Sequence, residues 1–321
     1  MLPRRVALPW IFAVSLMVPG TGVVSGQDYP NKPIRIVTSS AGGSSDFVMR
    51  LVAPALRASL GQPVIIENRA SLLLGEVESR SPPDGYTLLA GGGTLWIVPL
   101  LQDVRFDPSK DFAPIALLVT SPNILVVHPS VPVKSVKELI ALARARPGEL
   151  NYASTSTGGS PHLAAELFKT LAGVDIVQIP YKGSGAALIA LVGGHVQVMF
   201  PAVTSSTPHI RSGRLRGLAV TSAKTSPLAP GLPPIAATVP GYDYGTGGAT
   251  AMFAPQKTPA AIISRLNQEI VRVLNQADMK EKLSGSGVEI VGSSPEQLGA
   301  MVKSEVARMG KVIKDAGIKA N

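Results

Sequence analysis

Short apolar segments alternate with helical segments along most of this chain, and this alternation constrains its fold more than any other feature. The first apolar segment, Ile34 to Val37, precedes a loop of small polar residues and a helical pattern that stops at Gly61. Further short apolar segments follow at 64–66 and 86–89, and the same rhythm recurs across 124–221. Alternating strands and helices are typical of parallel α/β layers. The 321 residues suffice for about two domains of ordinary size. The sequence therefore predicts two α/β units.

Helix start signals support this interpretation. Ser135 followed by Glu138 forms a capping-box pattern, and Ser294 followed by Gln297 forms another. Proline at the start of a helix favours a third helix after Pro259. Pro54 lies inside the helical pattern that ends at Gly61, and we expect it to kink or shorten that helix.

The first 26 residues have the pattern of a secretory signal. Arg4 and Arg5 precede an apolar stretch at 6–18 and a small-residue stretch that ends before Gln27. This order of basic, apolar and small residues is typical of a signal peptide, and the apolar stretch is short for a membrane span. We expect residues 1–26 to be cleaved, with an N-terminal membrane anchor as the alternative.

Composition excludes several classes of site. The chain has no cysteine, which excludes disulfides, thiolate metal sites and a thiol nucleophile. The four histidines have no short metal-ligand spacing, and no phosphate-loop, dinucleotide-binding or serine-hydrolase motif is present. We therefore expect no cofactor, no metal and no enzymatic activity. The net charge is +9, but aromatic residues are only 5% and no dense basic run exists, so nucleic acid is not expected as a partner.

Loops rich in glycine and hydroxyl side chains follow several predicted strands. They lie at 38–46, at 154–160 and at 182–185, each ahead of a helical segment. Unpaired N–H groups and the dipole at a helix N-terminus suit an anion, and in open parallel sheets ligands lie beyond the carboxyl ends of strands. The alternative is that these residues only cap helices and turn the chain.

Many sequence blocks resemble the Bug family, the substrate-binding proteins of tripartite tricarboxylate transporters. The resemblance runs from about Tyr29 to Lys319. The blocks include Tyr29-Pro30-Asn31-Lys32-Pro33, Gly42-Gly43, Glu67-Asn68-Arg69, Pro83-Asp84-Gly85-Tyr86, Leu150-Asn151-Tyr152-Ala153, Pro180-Tyr181-Lys182-Gly183 and Phe253-Ala254-Pro255.

This resemblance implies an α/β fold of the two-lobed type II periplasmic binding protein kind, a venus flytrap with two crossover strands. The crossings are expected near 119–123 and 242–248. Residues 27–121 and 246–321 then form a discontinuous lobe one, and residues 122–245 form lobe two. The implied function is capture of a small organic acid in the cleft between the lobes. The implied partners are that ligand and the membrane subunits of the transporter, and the protein is expected to be a periplasmic monomer.

The resemblance and the loop patterns together give a set of candidate ligand-binding residues. They are Thr38, Ser39, Gly42, Gly43, Ser44, Ser45, Asp46, Gly92, Trp96, Ser154, Thr155, Ser156, Thr157, Gly158, Gly159, Ser160, His162, Tyr181, Lys182 and Pro201. Structural alternatives remain open for several of them: helix capping for Asp46, a structural hydrogen bond for His162, solvation for Lys182 and core packing for Trp96. Arg69 is expected to anchor loops of lobe one.

The sequence departs from the family pattern in the cleft loops. Residues 39–41 replace an aromatic residue and prolines, residues 70–75 are shorter and more apolar than usual, and Pro201 with Ala202 replaces an Asp-Asn pair. Such changes alter the donors and the shape of the cleft. The apolar side chains at 72–74 favour an acid that is partly apolar. Three alternatives stay open: a ligand-presenting partner of a membrane sensor, a hydrolase on the same scaffold, and a chain whose altered loops close the cleft.

Overall fold

The computed structural model describes residues 29–39, 41–155, 159–245 and 247–316. The predicted signal at 1–26 lies outside these residues. The strands are β1 (Ile34–Thr38), β2 (Val64–Asn68), β3 (Thr87–Gly91), β4 (Phe112–Thr120), β5 (Ile124–Val127), β6 (Asn151–Ser154), β7 (Val177–Pro180), β8 (Val198–Met199), β9 (Arg216–Val220), β10 (Thr250–Pro255) and β11 (Glu289–Ile290).

Helices connect most of these strands. They are α1 (Ser44–Leu60), α2 (Ser71–Ser79), α3 (Thr94–Ile97), α4 (Val136–Ala145), α5 (Ser160–Ala172), α6 (Ser184–Val192), α7 (Val203–Arg211), α8 (Ala260–Leu274), α9 (Ala277–Gly285) and α10 (Pro295–Ala316), with 3-10 turns at Val98–Leu100 and Ile235–Ala237. No helix in the described ranges is long and apolar enough to cross a membrane.

Six strands form the sheet of lobe one, in the order β11-β4-β10-β3-β1-β2. β1 is parallel to both β2 and β3, with Ile36 opposite Ile66 and Leu88. β10 enters antiparallel between β3 and β4. The parallel group β3-β1-β2 places the loops after these strands at one edge of the sheet, which is where ligands bind in α/β folds.

Five strands form the sheet of lobe two, in the order β7-β6-β8-β5-β9. β6 is parallel to β7 and β8, whereas β5 is antiparallel to β8 and β9. The loops after β6, β7 and β8 therefore share one edge, as the corresponding loops of lobe one do.

The chain passes between the lobes twice. It enters lobe two between β4 and β5, and it returns between β9 and β10. The two passages are bonded together: the Asn123 N–H donates to the Thr221 hydroxyl over 3.0 Å, and the Thr221 N–H donates to the Asn123 carbonyl over 2.9 Å. At Gly248 a Cβ would lie 2.1 Å from the Ser121 carbonyl oxygen, so this close approach requires glycine. The exact division at 121/122 and 245/246 stays a prediction.

Buried apolar side chains form three clusters. One lies in lobe one around Ile36, Val52 and Ile270, and one lies in lobe two around Val126 and Leu191. The third continues from one lobe into the other, since it contains residues of β3, α5 and α10. The two lobes thus share part of their core beside the crossings.

Most predicted elements are confirmed, and the predicted two-lobed α/β fold is too. The Glu138 N–H donates to the Ser135 hydroxyl, and Ser294 and Gln297 bond reciprocally as a capping box. The prediction that Pro54 shortens its helix is wrong, because α1 continues through it to Leu60. Pro54 lies on the exposed face of α1, where water can hydrate the carbonyl that loses its partner.

Candidate ligand-binding cleft

A cleft of about 1110 Å³ lies between the two lobes. Lobe one contributes the loops that follow β1, β2 and β3, and lobe two contributes the loops that follow β6, β7 and β8. The described residues leave this space open, which argues against a cleft closed by its own altered loops. Its volume lies just above the range of about 300–1,000 Å³ that small-molecule sites usually occupy.

The loop after β1 is held by one carboxylate. Asp46 is buried, with 3% of the residue exposed. It accepts hydrogen bonds from the Gly42 N–H at 3.0 Å, the Arg50 Nε at 2.9 Å and the Asn68 Nδ2 at 2.7 Å. Asn68 also donates to the Ser39 carbonyl at 2.7 Å. The contact with Gly42 reaches back across the first turn of α1, so Asp46 fixes the loop that precedes the helix. It is not a helix cap, because α1 has no side-chain cap hydrogen bond at its N-cap residue Gly43.

These contacts decide the charge of Asp46. Burial alone would raise the pKa of its carboxyl, but the hydrogen bonds from Asn68, Arg50 and Gly42 and the charge of Arg50 outweigh that effect. The pKa of Asp46 is therefore held below its ordinary value. At neutral pH the carboxylate is ionised and fully engaged within lobe one.

The first turn of α1 presents main-chain donors to the cleft. The first helical hydrogen bond runs from the Phe47 N–H to the Gly43 carbonyl, so the N–H groups of Ser44 and Ser45 have no acceptor within the helix. The Ser45 hydroxyl lies 3.3 Å from that of Thr250 at the start of β10. Opposite it, Gly92 approaches Ala249 so closely that a Cβ would lie 2.6 Å from the Ala249 carbonyl oxygen.

Lobe two turns the N-termini of three helices towards the same cleft. Gly159, Gly183 and Ala202 precede α5, α6 and α7, and all three line the cleft. The helices have no side-chain cap hydrogen bond at these positions. In α5 and α6 the N–H groups of Ser160 and Ser184 are therefore donors that a ligand can use. At the start of α7 the Val203 N–H instead donates to the Pro122 carbonyl over 3.1 Å.

Asn123 fixes the start of α5. Its Nδ2 donates to the Ser160 hydroxyl at 3.0 Å and to the Phe200 carbonyl at 2.8 Å. The residue is 2% exposed and belongs to the first passage between the lobes. Because a carbonyl can only accept, the contact with Phe200 fixes the orientation of the amide. Asn123 thus connects the start of α5 to both passages of the chain between the lobes.

The cleft favours anions. Among its described lining residues, Arg50, Lys182 and Arg211 are basic, and Asp46 is the one acidic residue. Four helix N-termini add positive potential, since each helix carries about half a positive charge at that end. An anion gains from both sources, whereas a cation would be repelled.

Apolar side chains form the remaining walls. Phe47, Leu74 and Leu95 contribute from lobe one, and Tyr181 and Leu228 contribute from lobe two. Phe47 is 42% exposed, so part of its ring is available to a ligand. The cleft therefore offers both anion donors and an apolar surface.

Most of the predicted site residues line the cleft. They are Ser39, Gly42, Gly43, Ser44, Ser45, Asp46, Gly92, Thr155, Gly159, Ser160, Tyr181, Lys182 and Pro201. Three further predicted residues, Ser156, Thr157 and Gly158, lie outside the described residues.

Four predicted residues lie off the cleft. Thr38 is buried and donates to the Ala90 carbonyl at 3.0 Å, and Ser154 is buried and accepts from Gln178 at 2.8 Å. Both end a strand, and the alternation of side chains along a strand turns them into the sheet. His162 is 2% exposed. Burial lowers its pKa, with the charges of Glu166 and Lys169 acting in opposite directions.

Trp96 is the fourth of these residues. It is fully buried and packs edge-on against Phe253 of β10 with ring centroids 6.2 Å apart. The structure therefore places it in the core, which was the alternative to a cleft wall. The main-chain N–H of Arg69 donates to the Thr38 carbonyl, and the Arg69 guanidinium pairs with Glu67 of β2. The expected role of its side chain as an anchor of the loops of lobe one stays a prediction.

Several lining residues were not predicted. Asn123, Thr204, Ser205, Arg50 and Arg211 all line the cleft. Thr204 and Ser205 follow β8 in the same way that the predicted loops follow β1 and β6, so the rule used for those loops could have found them. Arg50 lies four positions after Asp46 on α1 and pairs with it, which is a local signal that the prediction did not use, whereas its contact with Asn68 is distant in sequence.

Comparison with known proteins identifies the family. Residues 48–318 match the family TctC, described as the tripartite tricarboxylate transporter family receptor. The chain is also 34% identical over 304 residues to the protein BugT of Bordetella pertussis, covering 92% of this chain and 93% of that protein. The chain belongs to the TctC family. The resemblance to Bug proteins is therefore confirmed, and a receptor family places the chain among binding proteins rather than enzymes.

Solved TctC-like structures share the two-lobed fold. Rpa4515 of R. palustris with adipate has a TM-score of 0.83 and 37% identity, covering 91% of this chain and 99% of that chain. MatC of Rhodopseudomonas palustris with bound malate has a TM-score of 0.82 and 30% identity, covering 89% of this chain and all of that one (100%). Carboxylates are thus the ligands named for these two neighbours of the chain.

Proposed function

We propose that this TctC-family protein captures a small organic acid in the cleft between its lobes and delivers it to the membrane subunits of a tripartite tricarboxylate transporter. The observation that carries the proposal is the meeting of helix N-termini from both lobes in one cleft whose lining carries a surplus of basic residues. The adipate and malate bound by its structural neighbours support the same ligand class.

Main-chain N–H groups do most of the binding in this proposal. The donors of Gly43, Ser44 and Ser45 in lobe one and those of Gly159 and Ser160 in lobe two receive a carboxylate. Such bonds to an ionised acceptor are stronger than neutral ones. No buried lysine is needed, because the α1 and α5 dipoles already stabilise the negative charge.

Closure of the two lobes completes the site. An acid that contacts both lobes stabilises the closed arrangement by its differential affinity for it, as in other hinged binding proteins. The two passages that contain Asn123 and Gly248 are the places where the backbone must bend. The closed form is then the one that docks on the membrane subunits.

The proposal includes a periplasmic location and a monomeric state. Cleavage of the signal before Gln27 would yield the mature chain. Amino-terminal sequencing of the exported protein tests the first part, with Gln27 as the expected first residue. Light scattering tests the second, and a dimer in solution would contradict it.

A ligand screen tests the binding function. Thermal unfolding is measured with mono-, di- and tricarboxylates, and each hit is titrated by calorimetry. A ligand at 100 times its dissociation constant adds about 2.7 kcal/mol to the free energy of unfolding, which gives a clear rise in melting temperature. Neutral diamides of the same length are the matched controls and should give no rise. Absence of a shift with every carboxylate would contradict the proposal.

A further inference from the structure

One arginine of lobe one reaches across the boundary between the lobes. Arg308 lies on α10, which packs on β4 and α3 of lobe one and also contacts α5 of lobe two. Its Nη1 donates to the main-chain carbonyl of Asp243 at 2.8 Å and lies 3.8 Å from the Asp243 carboxylate. Asp243 belongs to the second passage of the chain between the lobes. Arg308 thus bonds one lobe to the segment that leaves the other.

The Arg308 guanidinium is oriented by its own helix. Its Nε and Nη2 donate to the two carboxylate oxygens of Glu305 at 3.1 and 2.8 Å. The two side chains are 30% and 13% exposed, so solvent screens this pair less than it screens a pair on the surface. The third nitrogen, Nη1, donates to Asp243, and a hydrogen bond from a charged donor is stronger than one between neutral groups.

Asp243 is fixed to lobe two on both sides. The preceding Tyr242 donates its hydroxyl to the Ala164 carbonyl of α5 at 3.0 Å. The following Tyr244 donates its N–H to the Thr221 carbonyl at 2.8 Å. Both tyrosines are buried. Asp243 is therefore expected to move with lobe two.

Glycines follow Asp243 where the chain returns to lobe one. Gly245, Gly247 and Gly248 lie between it and β10. Glycine has no side chain to restrict its backbone, so a segment of this kind bends easily and suits a hinge. The bond from Arg308 to Asp243 therefore spans the hinge.

This bond lies on the far side of the crossings from the cleft. Gly247 and Ser160 line the cleft. The fully buried ring of Tyr244 lies against both, because a Cβ at Gly247 would collide with the ring and with the Ser160 hydroxyl. Asp243 and Arg308 do not belong to the described cleft lining. A rotation of the lobes that narrows the cleft in front of the crossings widens the space behind them.

The cleft is wider than a small acid needs. Its volume of about 1110 Å³ exceeds the range of about 300–1,000 Å³ that suffices for ligands of drug size. The arrangement is therefore an open one, and the Arg308 bond is made in it. Closure widens the space behind the crossings, and a hydrogen bond is lost once its donor and acceptor are more than about 3.5 Å apart.

We propose that the bond from Arg308 to Asp243 is a latch that stabilises the open arrangement and so sets the affinity of the cleft for its ligand without touching that ligand. Part of the binding free energy is then spent on breaking the latch when the lobes close. This inference rests on the proposed function, because it concerns the regulation of the same cleft. Loss of the latch strengthens binding, whereas loss of an ordinary structural contact would weaken it or leave it unchanged.

Calorimetric titration with adipate tests the inference. Arg308→Gln removes the charged donor and should bind adipate about tenfold more tightly than the wild type, because a hydrogen bond from a charged group contributes about that factor to an equilibrium. Arg308→Lys keeps a charged donor and should have an affinity between those of the other two. Unchanged or weaker binding by Arg308→Gln, or weaker binding by Arg308→Lys, would overturn the inference.

Arg272→Gln is the matched control. Arg272 on α8 is likewise bonded to a glutamate three positions earlier, Glu269, but its contacts, including the one with Ser59, stay within lobe one. This variant should bind adipate as the wild type does. Equal strengthening in Arg272→Gln and Arg308→Gln would overturn the inference, because it would show that the effect does not depend on the hinge.

The distance between the lobes gives a measurement that needs no ligand. The chain has no cysteine, so Leu73→Cys and Ile189→Cys together place one fluorophore on each lobe. Both side chains are exposed, and each lies on a helix whose start is beside the cleft. Single-molecule energy transfer without ligand should show a larger closed fraction in Arg308→Gln than in the wild type or Arg272→Gln.

An unchanged closed fraction in Arg308→Gln would overturn the inference. If the wild type binds no carboxylate, the proposed function fails, whereas the ligand-free comparison of the closed fractions still decides whether the latch exists.

Discussion

The two lobes build their faces of the cleft from different chemistry. In lobe one the loop after β1 is fixed by an ionised carboxylate, Asp46, with three donors around it. In lobe two the start of α5 is fixed by a neutral amide, Asn123, which donates to a hydroxyl and a carbonyl. Ionised contacts are stronger and depend on pH, whereas neutral ones do not. Lobe one is thus the face of the cleft that is more sensitive to pH.

The same contrast extends into the cores. Lobe one buries Glu78 on α2 completely, and neither of its carboxyl oxygens has a hydrogen-bond partner among the described residues. Lobe two instead gives its half-buried Glu166 a hydrogen bond from the Tyr152 hydroxyl at 2.6 Å and an ion pair with Lys169. Unpartnered burial penalises the charged form of a carboxyl group, so Glu78 is the residue of this pair from which we expect a pH effect on stability.

The largest effect is expected from Glu78. Burial raises the pKa of its carboxyl to about 9, against a smaller opposing effect of Arg35. The folded state therefore keeps a proton that the unfolded state releases, and the free energy of unfolding should fall as pH rises from about 4.5 to 9. The slope is at most about 1.4 kcal/mol per pH unit. Chemical denaturation of the wild type and Glu78→Gln across that range measures it.

In Glu78→Gln this decline should disappear. Glu76→Gln changes a carboxylate on the same helix that is paired with Arg80, and it should keep the wild-type slope. Equal slopes in the wild type and Glu78→Gln would show that Glu78 is not the group responsible.

The next largest effect is expected from Asp46, whose contacts with Gly42, Arg50 and Asn68 fix the loop after β1. Asp46→Asn removes the charge that holds Gly42 and Arg50, and it should lower the free energy of unfolding by about 2 kcal/mol at pH 7. The pKa of Asp46 is depressed in the folded state, so its stabilisation is present above the unfolded value and is lost as pH falls. The difference between wild type and variant should therefore shrink below about pH 4.

Asp278→Asn is the control for that variant. It removes an exposed ion pair with Lys282 on α9, where solvent screens the two charges and little or no loss of stability is expected. If the free energy of unfolding falls equally in Asp46→Asn and Asp278→Asn, the buried contacts of Asp46 stabilise the protein no more than an exposed ion pair does, which would contradict our account.

A smaller effect is expected at the floor of lobe two. Asn123→Ala leaves the buried Phe200 carbonyl without its donor and frees Ser160, at a cost of about 1 kcal/mol. Affinity for adipate should also fall, because α5 loses its tether. Asn267→Ala also removes an amide that donates to two carbonyls, but away from the described cleft lining. Asn267→Ala should lower the free energy of unfolding by a similar amount without changing the affinity for adipate. If it weakens adipate binding as much as Asn123→Ala does, Asn123 has no specific role in the cleft.

The smallest effect is expected from His162 in lobe two. Burial lowers its pKa, so the folded state resists protonation and stability should fall as pH drops below about 6.5. In His162→Gln this fall of stability at acidic pH should be smaller. The fall between about pH 4.5 and 9, which we assign to Glu78, should remain. Denaturation between pH 7 and 5 measures it, with a slope shallower than that of Glu78. If the free energy of unfolding of His162→Gln falls at acidic pH as it does in the wild type, His162 is excluded as the cause.

Sequence patterns predicted elements whose signals are local. The capping boxes at Ser135 and Ser294 mark α4 and α10 correctly, because a cap involves residues three positions apart. The strands β4 and β10 were not predicted, since they lie in the middle of a sheet, carry no apolar alternation and contain Pro114 and Pro255. Helix α2 has Gly75 in its middle and no side-chain cap, so it has no start signal either.

The residues of the site also divide into those that a local sequence pattern predicts and those that it does not. Loops such as 42–46 and 159–160 could be predicted, because glycine and serine after a strand carry a local meaning. Asn123 could not, because its role depends on Ser160, which lies 37 positions away. Arg50 has one local partner, Asp46, and one distant partner, Asn68, 18 positions away. Trp96 was ambiguous because a glycine loop precedes it, and only the packing against Phe253 excludes it from the cleft.

Small-angle X-ray scattering with and without adipate tests the central claim most directly, namely that two lobes close on an acid held by their facing helix N-termini. With one adipate bound per chain, measured by calorimetry on the same sample, the radius of gyration should decrease. Neutral adipamide should leave it unchanged. Stoichiometric adipate binding without any decrease, or no binding at all, would contradict the account.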